Sequence, residues 1–257
     1  MCNDRRKSGF TLVELLVVLA VIGLLLALLL PALASVKSEM RTLKCSSNLR
    51  SICFKFQLFA SGQSENGRGD SEVLGPNRFF ISDFVESIYR IDEFWDAPDS
   101  SFDRLQASND IALCPAGAKS VQRRRGMPCS SAAVGPTENV SLAFNMRLYR
   151  AEVEFNGQPV LAPSAATRVR IDVLDHQHVP LVMDGDGKLA EERSVEPFFI
   201  APPPTSGVGP YAPGRWWMPA TRHRQKTQVG FVGGHVLSSA TPERERWDWS
   251  YQAEVSR

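Results

Sequence analysis

From Leu15 to Leu30 the chain runs 16 residues without a charged or polar side chain, broken only by Gly23. Such a run near the head of a chain reads as a membrane span. Arg5, Arg6 and Lys7 precede it, followed by Gly9 and Phe10, and a single carboxylate, Glu14, sits four residues after Phe10. A carboxylate in a spanning helix costs about 2.5–3.5 kcal/mol at the bilayer centre and less near its edge. Such a residue normally serves a partner. Cleavage between Gly9 and Phe10 would create one, because the new α-amine of Phe10 is a cation. The amine of one copy can then pair with Glu14 of the next in a bundle of identical helices. Cleavage makes the charge that Glu14 needs, and the pair sets the register between copies.

The stretch Lys7-Ser8-Gly9-Phe10-Thr11-Leu12-Val13-Glu14 resembles the prepilin leader of type IV pilins and type II secretion pseudopilins. The resemblance covers Gly9, Phe10, Thr11, Leu12, Glu14 and the apolar run. Pro31 falls where that family often carries a helix-loosening proline. The resemblance implies a prepilin peptidase that cuts after Gly9 and methylates Phe10. It also implies assembly with other pilin or pseudopilin subunits through Phe10 and Glu14. Two plainer readings compete. One is a secretory signal with Ala32-Leu33-Ala34 as its cleavage site, but its apolar core exceeds the usual 7–15 residues. The other is a simple signal anchor. Both leave the Gly9–Phe10 junction unexplained.

Net charge does not suggest a nucleic-acid partner, and none is expected. Three of the 29 basic residues and two of the 28 acidic ones lie before Val36, which leaves 26 of each. The basic end precedes the span, so the leader is expected in the cytoplasm and the bulk outside the inner membrane. Cys2 would leave with the leader, and Cys45, Cys53, Cys114 and Cys129 remain. An even count in an extracytoplasmic domain suggests disulfides; the alternative is four free buried thiols. On one helix Cys45 and Cys53 would stand about 12 Å apart along the axis, too far to bridge. Two disulfides would therefore pair each of them with Cys114 or Cys129. No Cys-x-x-Cys occurs, which argues against zinc.

The helix is expected to continue beyond the membrane to about Ala60. Leu43, Leu49, Ile52, Phe56 and Phe59, with Cys45 and Cys53 nearby, form an amphipathic face. A helix from Phe10 to Ala60 would be on the order of 75 Å long. The Gly-rich run 61–70 ends it. Short helices are expected within 79–94 and strands at 140–148, 169–173 and 179–183. Leu113-Cys114-Pro115 reads as a strand end, and 120–135 as a loop in which Arg123, Arg124 and Arg125 form a solvated triplet. The Pro- and Gly-rich stretch 197–219 reads as a long surface loop whose Trp216 and Trp217 cap the core. Two apolar runs flanking Gly233-Gly234 mark a hairpin with a two-residue turn.

The C-terminal part resembles a large family of pseudopilin-like bacterial proteins that end in His, nine residues, then Asp-Gly. Arg222-His223 is followed by nine residues and then Gly233-Gly234-His235-Val236, so the frame is kept and the Asp is replaced by Gly233. His223 and His235 are expected as hydrogen-bonded structural residues around the hairpin. His176, His178, His223, His235, Asp184 and Asp186 supply candidates for a metal, but match no zinc signature such as His-Glu-x-x-His. Asp184-Gly185-Asp186-Gly187 resembles part of a calcium loop without its downstream Glu. The reading is no cofactor, with calcium as the alternative. No Gly-x-Ser-x-Gly, P-loop or dinucleotide fingerprint occurs.

The expectation is therefore an α+β, pilin-like chain. It comprises a leader (1–9), a membrane and assembly helix (10–36) and its amphipathic continuation (37–60). An extracytoplasmic domain (61–240) on an antiparallel sheet and a charged, partly disordered tail (241–257) complete it. It would be a filament subunit rather than an enzyme. The competing class is a membrane-anchored protein that never polymerises and binds a ligand through the 197–219 loop.

Overall fold

The computed structural model describes residues 12–62, 77–89, 104–106, 110–117, 120–123 and 134–255. The chain divides into two compact units between Arg41 and Thr42.

In the first unit the described residues belong to α1 (Leu12–Ala60, 49 residues), which runs through Pro31 without a break. No side chain of α1 before Cys45 is buried. An 18-residue window of it reaches a mean hydropathy of 3.1. Leu, Val and Ile thus face outward on every side, the pattern of a helix made for lipid or for other helices.

The second unit adds three further helices among the described residues: α2 (Ile81–Tyr89), α3 (Met146–Tyr149) and α4 (Gly187–Glu192). Its strands, in chain order, are β1 (Arg78–Phe79), β2 (Arg104–Gln106), β3 (Ser120–Arg123), β4 (Val134–Gly135), β5 (Leu142–Asn145), β6 (Glu152–Phe155), β7 (Gln158–Leu161), β8 (Thr167–Arg170), β9 (Pro180–Asp184), β10 (Phe199–Ile200), β11 (Thr227–Phe231), β12 (Val236–Ser239) and β13 (Glu254–Val255). The main sheet has the order β10-β5-β9-β11-β12. It is antiparallel except at one edge, where β10 runs parallel to β5. β9 and β11 are buried along their whole length. β1, β8 and β13 form a smaller antiparallel sheet.

The second half of α1 covers one face of the main sheet. Its buried residues are Cys45, Asn48, Leu49, Ile52, Cys53, Phe56, Phe59 and Ala60, the three-and-four spacing that keeps one stripe inward. Leu49, Ile52 and Phe56 are fully buried, and each contributes about 1.5–3 kcal/mol of transfer free energy. Leu43 departs from expectation: it is 68% exposed, because the stripe begins only at Cys45. Phe56 meets Phe84 of α2 edge-on at 5.2 Å between ring centroids.

Gly230 on β11 is where helix and sheet come closest. A Cβ there would stand 2.6 Å from Cys53 Sγ and 3.2 Å from Val182 Cγ1. Gly230→Ala is expected to cost about 1–3 kcal/mol by overpacking. In a Cys53→Ala background much of that loss should disappear, since the first atom met is gone. Denaturant midpoints of the four chains check this; an equal Gly230→Ala loss in both backgrounds would remove Cys53 from the account.

The other face of the sheet is covered by the C-terminal segment. Trp249 is buried against Ala143, Met183, Ile200 and Phe231, and its Nε1 donates to Pro242 O at 3.1 Å. Trp247 meets Phe231 edge-on at 5.0 Å. The segment ends in β13, paired with β8. This corrects the expectation of a partly disordered tail: its charges are numerous, but two Trp side chains seat it. Trp216 packs toward the α1 side of the core and Trp217 toward the tail side, as expected of core caps.

Four smaller expectations change. Leu113-Cys114-Pro115 lies in a turn, not a strand. The 120–135 stretch contributes β3 and β4, though residues 124–133 lie outside the described ones. Residues 140–148 divide into β5 and α3. The Gly-Gly hairpin closes through Phe231 N–H to His235 O at 3.0 Å. That gives a three-residue loop in which Gly234 takes the left-handed conformation, with φ +88.

Candidate functional site

Gly9 and Phe10 lie outside the described residues. Glu14 stands in the first turn of α1, exposed, ahead of the uncharged stretch. It lies four residues along the sequence from the predicted new N-terminus.

A second constellation lies wholly inside the second unit. Cys45, Cys114, Asp184 and His223 are buried and each offers one donor atom, all within 4.8 Å of one another. α1 supplies Cys45, the first residue of its inward stripe. Cys114 lies in the 111–117 turn, which is tied down at its middle by two bonds. Asn48 Nδ2 donates to Leu113 O at 3.2 Å, and Cys114 N–H donates to Ser141 Oγ at 2.8 Å. Asp184 ends β9, two residues after Val182, so both point to the α1 side of the sheet. His223 precedes β11, in a short bridge with Lys226.

The contacts are close. Cys45 Sγ–H donates to Asp184 Oδ1 at 3.3 Å. Cys114 Sγ lies 3.2 Å from His223 Nε2, which is 3.3 Å from Asp184 Oδ2. Asp184 Oδ2 also accepts from Gln228 N–H at 3.0 Å. The other ring nitrogen of His223, Nδ1, is 3.2 Å from Thr42 Oγ1. Arg222 braces the surroundings: its guanidinium donates to Ser141 O at 3.2 Å and Gly185 O at 2.6 Å.

The electrostatics follow from this crowding. The hydrogen bond with Cys45 lowers Cys114 to about 6 against the opposing effect of burial, with His223 assisting. The same bond, then burial and the charge of Asp184, push Cys45 far above the ordinary thiol range. Burial works against a charged His223 ring, but hydrogen bonds with Asp184 and Cys114 outweigh it and raise the group to about 9. In an open cleft a thiolate–imidazolium pair of this kind is a nucleophile. Here Cys45, Cys114 and Asp184 are 0% exposed and His223 3%, which leaves no approach for a substrate.

The remaining candidates separate. Asp186 is not with Asp184: its Oδ1 accepts from Lys188 and Leu189 N–H and caps α4. His235 stacks on Phe231 at 4.4 Å and meets His178 edge-on at 5.5 Å. Burial, then the neighbouring His178, lower it. Its ring Nε2 is buried with no hydrogen-bond partner among the described residues, while its backbone carbonyl accepts from Phe231 N–H. His176 lies in a shallow groove with Asp248. Gly233 has a steric reason to lack a side chain, because a Cβ there would meet Gln177 Cβ and O at 2.9 Å. An Asp in this frame would collide with that backbone.

Cys45, Cys53 and Cys114 are all free thiols, whereas Cys129 lies outside the described residues. The disulfide expectation is not met at these three. Cys53 sits against Gly230, and burial, only partly offset by backbone hydrogen bonds, pushes it up to about 12. Asp184 and His223 were legible as metal candidates. Cys45 and Cys114 were not joined to them, because zinc signatures are local spacings and these four residues come from four separate segments.

Residues 4–30 match the family model described as the prokaryotic N-terminal methylation motif. Comparison with curated proteins and with solved structures gave no match. The matched stretch contains Gly9, Phe10, Glu14 and the uncharged run, and it is the motif of prepilin-type processing and methylation; the head of this chain is thus pilin- or pseudopilin-like.

Proposed function

We propose that the chain is a structural subunit of a type IV pilus-like or type II secretion pseudopilus-like filament. The observation that carries this is the methylation motif over residues 4–30 leading into a helix exposed on all sides. A prepilin peptidase cuts between Gly9 and Phe10 and methylates Phe10. The helix crosses the inner membrane once, with the basic leader inside and the second unit outside. It then leaves the bilayer laterally into a bundle of like helices, where Glu14 of one subunit meets the Phe10 amine of the next. The second unit is structural, which its closed and buried polar cluster supports.

The test is the intact mass, with N-terminal peptide mapping, of the protein recovered from membranes. The expected chain starts at Phe10 and carries one added methyl group. A start at Ser35 would mean an ordinary secreted protein, and an uncut Met1 would leave a signal anchor; either result overturns the filament reading.

A further inference from the structure

We propose that Cys45, Cys114, Asp184 and His223 bind one zinc ion in a closed tetrahedral site that ties α1 to the main sheet. The inference stands apart from the filament reading and does not need it.

Geometry is the first argument. A tetrahedral zinc with ligand distances of roughly 2.0–2.3 Å has ligand–ligand edges of about 3.3–3.8 Å. Close contacts within the quartet measure 3.3 Å (Cys45 Sγ to Asp184 Oδ1), 3.2 Å (Cys114 Sγ to His223 Nε2) and 3.3 Å (His223 Nε2 to Asp184 Oδ2); the first and third use different carboxylate oxygens, so two of the three are edges of any one tetrahedron. One donor atom from each residue lies within 4.8 Å of every other. Two sulfurs, one imidazole nitrogen and one carboxylate oxygen suit a borderline-soft cation rather than calcium, which takes six to eight oxygens.

The surroundings are the second argument. A zinc-bound His normally donates its other ring N–H to a fixed acceptor, and Thr42 Oγ1 stands 3.2 Å from His223 Nδ1. The ligating carboxylate is held by Gln228 N–H. On binding, two protons leave to solvent, one from the Cys45 thiol and one from the Cys114–His223 pair, and His223 coordinates as the neutral ring. Two thiolates and one carboxylate around the dication leave one surplus negative charge. Arg222, hydrogen-bonded to the carbonyl of Gly185 next to Asp184, supplies a fixed cation beside it. A Cys45–Cys114 disulfide would account for only two of the four groups. With all four positions filled and no solvent access, the ion is structural rather than catalytic.

The experiment uses the full chain in detergent, purified without chelators. Zinc is counted by atomic emission, and the ion is then exchanged for cobalt(II). The expected result is one zinc per chain. The cobalt form should show the visible bands of four-coordinate cobalt and a thiolate-to-cobalt charge-transfer band. Cys53→Ser should keep the ion, whereas Cys114→Ser should weaken its binding more than about 100-fold, beyond the effect of losing an outer-shell partner. Thr42→Val, which removes no ligand atom but does remove the partner of His223 Nδ1, should weaken it by about 10–100-fold, and it keeps the test decisive should Cys114→Ser fail to fold. Three results would overturn the proposal. They are a chain that takes up neither metal, a cobalt spectrum without thiolate, and a non-reduced mass two hydrogens lighter with Cys45 and Cys114 cross-linked.

Discussion

Asp184→Ala is expected to lower the stability of the second unit by about 3–5 kcal/mol, the range for removing one member of a buried charged set. The carboxylate is fully buried, and three donors converge on it: Cys45 Sγ–H, His223 Nε2 and Gln228 N–H. Ala leaves all three unanswered, and each orphaned buried group costs about 1–3 kcal/mol, not additively. Whole domains are stable by only about 5–15 kcal/mol, so this variant should sit close to unfolding. Asp184→Asn keeps an acceptor for Gln228 N–H but not the charge, and should fall between. The check is the urea midpoint of the full chain in detergent. A midpoint for Asp184→Ala within error of the parent would mean that the carboxylate does not hold α1 to the sheet. The contrasting control is Asp186, which caps α4 at a more exposed position; Asp186→Ala should cost only about 0.5–2 kcal/mol.

How legible this architecture was depends on whether the signal was local. The inward stripe of α1 could be read from Leu49, Ile52, Phe56 and Phe59, since helical spacing is a property of one segment. The apolar runs of β9 and β11 were legible for the same reason. The hairpin of β6 and β7 carried a usable signal that went unread: Asn156-Gly157, both with positive φ in the structure, is the two-residue turn pair that hairpins favour. The tail was misread because charge was weighed above Trp247 and Trp249, whose burial depends on a sheet face built far away in the chain. The buried quartet shows the same limit. Asp184 stood out beside Gly185, and His223 through its frame with Gly233. Their union with Cys45 and Cys114 is set by tertiary structure, and contacts such as Cys45 to Asp184 span 139 residues. No spacing rule reaches that far.

Glu14→Gln and Glu14→Ala are expected to leave membrane insertion and cleavage after Gly9 intact while removing the chain from filaments. Insertion should if anything ease, because the carboxylate itself costs free energy in the bilayer. Assembly should fail because the processed Phe10 amine then enters the helix bundle without its counter-charge. Leaving one buried charge uncompensated costs about 3–5 kcal/mol, and every 1.4 kcal/mol is about tenfold in an equilibrium constant. Each subunit added would thus bind on the order of a hundredfold or more weaker, and the penalty recurs at every contact along the filament. Glu14→Gln is the sharper variant: it keeps size and hydrogen-bonding capacity and removes only charge. The measurement is the distribution of the chain between sheared filaments and membranes, together with its N-terminal mass. Processed Glu14→Gln protein confined to membranes supports charge pairing between subunits. Incorporation of the Glu14→Gln protein at the parental level would show that assembly rests on the apolar face alone, and the account of why a carboxylate stands at the head of this helix would have to be abandoned.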